Sequence, residues 1–333
     1  MQAKGLLFPD KMQVEVEDFD LPETLQSNQI LVENLFGLIS PGTELAMFTQ
    51  THVGFSRPDF GYASYPFRPG YATVGRTIDV GTEVVDLQAG DLVFTRTRHA
   101  SHAVLSRWEK VPDTMTIQRV PFVALAQVAL TSVRLSSIRL GQTVAVFGQG
   151  LVGNLTAQLM RCAGARQVIG IDLISSRLAI SAQCGIDTQI NSAQTEVTDQ
   201  IKHLTCDTGC QIVVEATGAP QVAPQALKAA AQLGEVILLG SPRGNAEIDL
   251  YFDLHRTGVS LIGAHASRQA DVAQYGEVDP QRLMLEFIDS SRLQVDPLLT
   301  HTVPATQAEE AFLGLLNQKE DYLGVLLDLQ VWS

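Results

Sequence analysis

The order of apolar and polar positions divides the chain into two kinds of segment. Over the first hundred residues, short runs of alternating or β-branched residues are separated by glycine, proline and aspartate, as in QILVENLFG, YATVGRTIDVG, GDLVFTR and SHAVLS. This pattern is typical of antiparallel strands and predicts a small, irregular β-barrel. Residues 46–69 interrupt it with many aromatics and prolines but no clear period. A long irregular loop in a compact domain is usually functional, so this one is a candidate substrate wall.

From about residue 120, apolar strands alternate with amphipathic helices. A buried helix (VPFVALAQVALTSVRLSSIRL) is followed by helices predicted over 175–184, 193–204 and 220–231, with strands at GQTVAVF, 188–190, QIVVEATG, EVILLG and VSLIGAH. This alternation predicts a doubly wound parallel sheet. Beyond residue 266, helices at 280–289 and 306–317 and a final LGVLLDL are expected to rejoin the first domain. The predicted domains are therefore 1–127, 128–265 and 266–333.

A glycine fingerprint opens the doubly wound segment. Gly148-Gln149-Gly150-Leu151-Val152-Gly153 is G-x-G-x-x-G, and it follows the strand VAVF and begins a helix. In this context Gly148 permits a tight turn, Gly150 lets pyrophosphate approach the backbone, and Gly153 lets helix and strand pack closely. All six residues are predicted to bind a dinucleotide, with its phosphates at the helix N-terminus.

The second strand of this segment indicates which dinucleotide is bound. Asp172 ends that strand, where a carboxylate can hold both ribose hydroxyls of NAD and would repel the 2′-phosphate of NADP. The next two residues bring no positive charge. NAD is therefore the predicted cofactor. Arg177, one helical turn further, either flanks the adenine ribose or is a solvated helix arginine.

Composition excludes several classes of function. The chain has 333 residues and a net charge of −13, so phosphate backbones and anionic lipid surfaces are poor partners, and a small-molecule substrate is expected. No apolar run is long enough to span a membrane, and the first residues do not resemble a signal peptide. The four cysteines, Cys162, Cys184, Cys206 and Cys210, are sparse, which indicates a reducing, cytoplasmic protein. The pair in CDTGC, Cys206 and Cys210, is interpreted as two incidental thiols.

The chain resembles the medium-chain dehydrogenase/reductase superfamily, the relatives of zinc alcohol dehydrogenases. The resemblance covers nearly the whole chain in order, through PGYATVGRTIDVG, GDLVF, the fingerprint, EATG, GEVILLG and THTVP. It implies an α/β fold in which a Rossmann doubly wound parallel sheet accompanies a GroES-like, partly open β-barrel substrate domain. It also places Ala216, Thr217, Gly240 and Ser241 at the cofactor. A homodimer or homotetramer is the expected assembly.

The resemblance does not extend to the residues that bind zinc in the family. Where the family carries its zinc ligands, this sequence has Pro41, then Gly70-Tyr71-Ala72, and then a stretch near Ala124 without thiol or carboxylate. Zinc prefers nitrogen and sulfur donors in a tetrahedral arrangement, and proline and alanine offer no side-chain donor. The sequence therefore predicts a zinc-free member. ISPGTE and PGYATVG are similar to the branch that includes bacteriochlorophyllide hydroxyethyl-group dehydrogenases.

Without zinc, a hydrogen-bond donor must stabilise the substrate oxygen. The resemblance places the hydroxyl of Thr43 at that oxygen, or else Thr43 is only a turn residue beside Gly42. Tyr71 either exchanges the proton, which requires its pKa to be lowered from near 10, or merely fills the vacated metal site. Glu44 is expected to orient either group or to pair with an arginine.

Five further residues are candidates for contact with substrate: Ser40, Phe48, His52, Phe55 and His265. His265 follows the last sheet strand and either faces the nicotinamide end or is a core histidine. His99 and His102 flank a strand of the substrate domain, and the resemblance places His102 on a structural strand.

Three functions remain open. The leading one is a zinc-independent NAD(H)-dependent oxidoreductase that interconverts a secondary alcohol and a ketone on a biosynthetic or polyol-like substrate. A reductase of enones or quinones is the first alternative, although its usual donor NADPH disagrees with Asp172. A non-catalytic nucleotide-binding sensor is the second.

Overall fold

The chain folds into two compact units. The computed structural model describes residues 1–57, 59, 61–270 and 275–332. Unit 1 comprises Met1–Ala124, Met284–Asp289 and Leu299–Ser333, and unit 2 comprises Leu125–Leu283 and Ser290–Leu298. The first boundary lies close to the predicted one at 127. The return to unit 1 differs, because it begins at Met284 instead of 266 and is interrupted again at 290–298.

Hydrogen bonds explain why residues 290–298 stay with unit 2. The backbone N–H of Gln294 donates to Gln158 Oε1 at 2.6 Å, and Gln158 Nε2 donates to the Gln294 carbonyl at 3.0 Å. No sequence periodicity marks such a pairing between residues far apart in the chain.

The strands confirm most of the predicted pattern. In chain order they are β1 Gln2–Leu7, β2 Glu15–Asp20, β3 Ile30–Leu38, β4 Thr73–Val80, β5 Leu92–Thr95, β6 His102–Leu105, β7 Glu109–Lys110, β8 Thr143–Phe147, β9 Gln167–Asp172, β10 Thr188–Asn191, β11 Cys210–Glu215, β12 Ala230–Leu238, β13 Ser260–Gly263, β14 Leu299–Pro304 and β15 Gly324–Asp328. The strands β1 and β2, which form a two-stranded ladder, were not among the predicted ones.

The α-helices in the described part of the chain are α1 Thr43–Phe48, α2 Phe122–Leu135, α3 Leu151–Cys162, α4 Ser175–Gln183, α5 Val197–Leu204, α6 Ala223–Ala229, α7 Pro280–Asp289 and α8 Ala308–Asn317. The predicted irregular segment 46–69 is wrong at its start, because residues 46–48 belong to α1. The predicted helix 193–204 begins only at Val197, because Asn191 organises a turn before it through a bond from the Ala193 N–H at 2.9 Å. No helix among the described residues combines the length and apolarity needed to cross a membrane.

Unit 1 is built on a mixed sheet in the order β14-β15-β3-β4-β5-β7, with β6 pairing β3. The antiparallel register sets Gly37 of β3 opposite Thr73 of β4, and Thr73 opposite Thr95 of β5. Because β3 and β5 end where β4 begins, the segments that follow Leu38, precede Thr73 and follow Thr95 meet at one sheet edge. We refer to this as the site edge.

Unit 2 contains a parallel sheet in the order β10-β9-β8-β11-β12-β13. All five residues of β8 are buried, as expected for a strand covered by helices on both faces. The strand order reverses between β8 and β11, and ligands of such sheets bind outside the carboxyl ends of the strands at this point. The predicted doubly wound parallel sheet is therefore confirmed.

Candidate active site

Three predicted residues come together at the site edge. The Tyr71 hydroxyl donates a hydrogen bond of 2.6 Å to Ser40 Oγ. Thr43 is close enough to the Tyr71 phenol to lower its pKa. Ser40 follows β3, Thr43 opens α1, and Tyr71 precedes β4, so the antiparallel register of the sheet brings the three hydroxyl groups to one place.

A buried acid–histidine pair lies behind these hydroxyls. Glu44 Oε1 accepts the Ser40 backbone N–H at 2.9 Å, and Glu44 Oε2 lies 2.9 Å from His99 Nε2. The side chains of Glu44 and His99 are 1% and 0% exposed. In the tautomer in which the Glu44 oxygen accepts, the hydrogen of this bond lies on His99 Nε2. Glu44 therefore binds the backbone of Ser40, and its side-chain partner is a histidine and not an arginine.

His99 is the residue that sequence reasoning missed. It was placed only beside a strand, and it is 55 residues from Glu44 in the chain. Two glycines make room for it: a Cβ on Gly37 would overlap His99 Nδ1, and a Cβ on Gly70 would overlap the His99 backbone N. The two glycines are the only trace of the His99 position that we find in the sequence, and no sequence pattern connects them to His99.

A cluster of hydroxyls and a cation adjoins Tyr71. The side-chain oxygens of Thr73, Thr95 and Thr97 lie 2.6, 2.8 and 3.1 Å from one another. Between Thr95 and Thr97, Arg96 places its guanidinium carbon 5.9 Å from the centroid of the Tyr71 ring. A guanidinium at this distance interacts favourably with an aromatic face.

The environment of Tyr71 raises its pKa. Burial is the largest cause; the Ser40 hydrogen bond lowers the pKa, the Glu44 charge raises it, and Thr43 and Arg96 lower it. The net direction is upward from 10.0. The lowering that proton abstraction by Tyr71 would require is therefore not found. The phenol is a neutral hydrogen-bond donor through the physiological range of pH.

The predicted substrate contacts divide into core and surface residues. Phe48 is wrong as a substrate contact, because its side chain is fully buried and packs against Phe8 and Phe312 with ring centroids 5.4 and 5.5 Å away. Phe55 packs on Tyr65, with ring centroids 5.0 Å apart.

The two histidines predicted to contact substrate each begin a short turn. His52 Nδ1 accepts the Gly54 N–H at 3.1 Å and so begins a short 3₁₀ turn. His265, in unit 2, is exposed and not a core residue. Its Nδ1 accepts the Ser267 N–H at 3.1 Å.

The glycine fingerprint of unit 2 has the geometry of a phosphate turn. Gly148 has a φ of +89°, in the region that favours glycine. A Cβ on Gly153 would overlap the Gly148 carbonyl, whereas one on Gly150 would meet no atom within 4 Å. Gly148 is therefore needed for the turn, and Gly153 for the packing of the helix against the strand. The open space beside Gly150, before the N-terminus of α3, can receive a pyrophosphate.

The side chains of the fingerprint do not all face that space. Gln149 is fully buried; its Nε2 donates to the Val146 carbonyl at 3.0 Å, and its Oε1 accepts from Ser181 Oγ at 3.0 Å. Leu151 is buried, and Val152 packs against the core of unit 2. The cofactor contacts predicted for Gln149 and Leu151 therefore fall to their backbone and not to their buried side chains.

Asp172 has a structural role that the sequence did not show. Its carboxyl oxygens accept the backbone N–H groups of Gln149 at 2.7 Å and Ile174 at 2.9 Å, and the residue is 8% exposed. A carboxylate has about four lone-pair sites, so capacity remains for ribose hydroxyls. Asp172 therefore fixes the fingerprint turn and can still bind a ribose. Arg177 lies in the first turn of α4 and is half-buried.

The opposite side of the turn is formed by the ends of β11 and β12. The buried Glu215 accepts the N–H and hydroxyl of Thr217 and the N–H of Gly218. Burial is the largest cause acting on its carboxyl group and raises its pKa. A Cβ on Gly148 would lie 2.9 Å from Thr217 Cγ2, and one on Gly240 would overlap the Gly218 N. The four predicted residues therefore lie at the carboxyl ends of these strands: Ala216, Thr217, Gly240 and Ser241.

The residues at the site edge do not fit a zinc ion. Pro41 and Ala72 have no donor side chain, and the Tyr71 hydroxyl is bonded to Ser40. Across the residues that the structure describes, no group of three His, Cys, Asp or Glu side chains is arranged to hold a metal. Glu44 and His99 are two possible ligands, but they bind each other in a space without water access.

Comparisons with known proteins agree with this architecture. Residues 152–278 match the zinc-binding dehydrogenase family. D-guloside 3-dehydrogenase of Escherichia coli K12 is 24% identical over 92% of this chain and 93% of its own length. The zinc-type alcohol dehydrogenase-like protein YdjJ of the same strain is 25% identical over 64% of this chain, and the match spans only 58% of YdjJ. A solved E. coli oxidoreductase/dehydrogenase of unknown specificity has a TM-score of 0.84, with 20% identity over 98% of this chain and 99% of its own.

The fold and the glycine turn define a two-unit protein in which a Rossmann sheet accompanies a GroES-like unit. Residues 152–278 carry the match to the zinc-binding dehydrogenase family, and the chain as a whole is similar to the zinc-type alcohol dehydrogenases of the medium-chain dehydrogenase/reductase superfamily. The fold expected from the sequence is thereby confirmed.

Proposed function

We propose that this protein is a metal-independent, NAD(H)-dependent oxidoreductase that interconverts a secondary alcohol and a ketone. The observation that carries the proposal is the Tyr71 hydroxyl, held by Ser40 at 2.6 Å where the family resemblance places a zinc-binding histidine. In a zinc enzyme the metal polarises the carbonyl and stabilises the alkoxide. A neutral phenol can serve the same oxygen by donating a hydrogen bond to it.

The raised pKa of Tyr71 favours ketone reduction. The nicotinamide, when bound, supplies the hydride to the carbonyl carbon. Tyr71 donates its hydroxyl proton to the carbonyl oxygen as negative charge develops there. Ser40, whose Oγ accepts the phenol hydrogen bond in the structure, then donates its own hydroxyl proton to the phenolate and takes a replacement proton from solvent. The reverse direction runs through the same steps backwards: Tyr71 first passes its proton through Ser40 to solvent, and the resulting phenolate accepts the proton of the alcohol.

Glu44 and His99 act as positioning residues. Glu44 binds the Ser40 backbone, and His99 occupies the second carboxyl oxygen, so Glu44 cannot rotate away without breaking two hydrogen bonds in a buried space. This fixes the distance between Ser40 and Tyr71. Loss of a buried partner is costly because the remaining polar group is neither hydrated nor paired.

NAD is the proposed cofactor. Gly148, Gly150 and Gly153 provide the turn and the open approach for pyrophosphate. The remaining acceptor capacity of Asp172 favours ribose hydroxyls over a 2′-phosphate, whose charge it would repel. The small-molecule substrate and the homo-oligomeric assembly expected from the sequence remain part of this proposal.

Turnover assays test the proposal. The purified protein is incubated with NADH or NADPH and a panel of ketones and enones, and with NAD and the matching secondary alcohols. Ketone reduction by NADH is expected, and Tyr71→Phe is expected to lose it. Tyr275→Phe is the control and should turn over normally, because Tyr275 is a 64% exposed residue of unit 2. Reduction of enones alone would replace this function by the double-bond reductase. Cofactor binding without any turnover would favour the nucleotide sensor.

Metal analysis tests the zinc-independent part. Elemental analysis of active protein is expected to find zinc far below one atom per chain, and incubation with a chelator is expected to leave the ketone reduction rate unchanged. One zinc per chain, with activity that is lost on chelation and restored by zinc, would contradict the mechanism through Tyr71.

A further inference from the structure

Arg96 occupies an unusual position at the site edge. It follows the last residue of β5, is exposed to solvent, and holds its guanidinium carbon 5.9 Å from the centroid of the Tyr71 ring. Partial burial of the guanidinium end lowers its pKa, and the nearby Tyr71 raises it. A positive charge thus lies beside the group that is proposed to donate the proton.

The charge of Arg96 is not compensated by a carboxylate. The chain has 36 acidic residues against 23 lysines and arginines, so an arginine readily finds an acidic partner. Arg98, two residues later, does so, with its Nη1 2.5 Å from Glu17 Oε1. Within the described ranges, no Asp or Glu oxygen comes within 4.0 Å of the Arg96 guanidinium, and no acidic group contributes to its pKa.

The surroundings of Arg96 offer further donors to an anion. Thr97 is half-buried, and its hydroxyl closes the cluster with Thr73 and Thr95 at 2.8 and 3.1 Å. A guanidinium binds carboxylate or phosphate oxygens with two parallel hydrogen bonds, and a neighbouring hydroxyl can supply a third. An arginine without an acidic partner, beside hydroxyls and a reactive phenol, has the composition of an anion-binding subsite.

We propose that Arg96 binds an anionic group of the substrate and thereby selects secondary alcohols or ketones that carry a carboxylate or a phosphate. This inference rests on the proposed function, because it places the anion in the same site as the reacting carbonyl. Because the Arg96 guanidinium carbon lies 5.9 Å from the centroid of the Tyr71 ring, one small molecule can reach both groups, with its anion on Arg96 and its carbonyl oxygen at Tyr71. Hydroxy acids, sugar acids and sugar phosphates have this arrangement.

Matched substrate pairs test the inference. Turnover with NAD is measured for 3-hydroxybutyrate against 3-hydroxybutyramide, for D-gluconate against D-glucitol, and for D-glucitol 6-phosphate against D-glucitol. The anionic member of at least one pair is expected to have a kcat/KM about tenfold or more above that of its neutral partner. Preference in the first two pairs identifies a carboxylate, and preference only in the third identifies a phosphate.

Variants assign the preference to Arg96. Arg96→Gln is expected to bring the ratio of kcat/KM for the anionic substrate to kcat/KM for its neutral partner close to one. Arg96→Lys is expected to keep part of this preference, because a lysine retains the charge but not the two parallel N–H donors of a guanidinium. Arg76→Gln is the matched control, an exposed arginine on β4 whose Nη1 donates to the Gly90 carbonyl. It should keep the full ratio. An equal loss for anionic and neutral substrates in Arg96→Gln would overturn the inference and leave Arg96 acting only on Tyr71.

A binding experiment separates failure of this inference from failure of the proposed function. Malonate and inorganic phosphate are titrated calorimetrically into the full-length protein, its Arg96→Gln variant and its Arg76→Gln variant. Arg96→Gln is expected to weaken binding of at least one anion about tenfold, with Arg76→Gln unchanged. If no alcohol or ketone turns over but this loss is seen, the anion subsite stands and the oxidoreductase function fails. Equal affinities in all three proteins would overturn the subsite even if neutral ketones are reduced.

Discussion

Glu44 and His99 are 55 residues apart in sequence, yet Glu44 Oε2 and His99 Nε2 lie 2.9 Å apart in a space that excludes water. The other oxygen of Glu44 binds the backbone of Ser40, and the hydroxyl of Ser40 binds Tyr71. A continuous set of hydrogen bonds therefore runs from a fully buried imidazole to the partly exposed phenol. Each bond of this chain can be tested separately.

Removing one member of the buried pair should destabilise unit 1 strongly. Glu44→Ala and His99→Ala each leave an unpaired buried polar group and should lower the free energy of unfolding by about 3–5 kcal/mol. The double variant should cost clearly less than the sum of the two single ones, because neither partner is then orphaned. Urea unfolding of the four proteins gives the coupling energy. Additive losses would show that the two side chains do not interact.

The phenol should affect chemistry and not cofactor binding. Tyr71→Phe keeps the ring and removes only the hydroxyl, so kcat should fall by about 10²–10⁴ while NADH affinity stays unchanged. Thr43→Val, which is nearly isosteric, should also reduce kcat. Steady-state kinetics and NADH titration measure the two effects. Normal kcat in Tyr71→Phe with impaired Thr43→Val would transfer the proton donation to Thr43.

The pH dependence of ketone reduction should reflect the raised pKa of Tyr71. Burial disfavours the phenolate, so the protonated, donating form persists through pH 10.0, the ordinary value, and is lost only as pH rises through the higher folded pKa. The same sign means that ionisation of Tyr71 destabilises the fold only in that alkaline range. A pH–rate profile checks this. A descending limb near neutrality that disappears in Tyr71→Phe would show a lowered pKa instead.

Asp172 should control both cofactor choice and the fingerprint turn. The unmodified protein should bind NADH more tightly than NADPH by about tenfold or more, because the carboxylate repels a 2′-phosphate. Asp172→Ser should erode this preference and also lower the stability of unit 2, since the Gln149 and Ile174 N–H groups lose their acceptor. Calorimetry and thermal unfolding measure both effects. Equal affinity of the unmodified protein for both cofactors would contradict the role at the ribose.

The outer edge of the parallel sheet should form the homo-oligomer interface. Among the described strands, β13 pairs only with β12, and Leu261 on β13 is 38% exposed. An unpaired edge strand is a template for pairing with a second copy. Leu261→Lys should shift the protein towards monomer in light scattering, whereas Leu140→Lys, at a residue that is 91% exposed, should not. A monomeric unmodified protein would contradict the interface.

Local signals in the sequence predicted the fold, and non-local contacts produced the errors. Strand and helix periodicity and the G-x-G-x-x-G turn act over a few residues, so they can be recognised without coordinates. The pairing of Glu44 with His99 and the position of Arg96 over Tyr71 depend on the register of β3, β4 and β5, which one sequence does not reveal. Phe48 was misassigned because an apolar residue in a segment without period suits a cleft and a core equally well.

The enclosure of His99 also makes it a spectroscopic reporter. Its ring lies against Gly37, has no exposed surface, and binds through Nε2 to a carboxyl group that is itself buried. A ring proton in such a place exchanges slowly with water, so it should give a distinct, far-downfield resonance in proton NMR spectra. Because this proton is connected through Glu44 and Ser40 to Tyr71, its chemical shift can follow ligand binding at the phenol without any label.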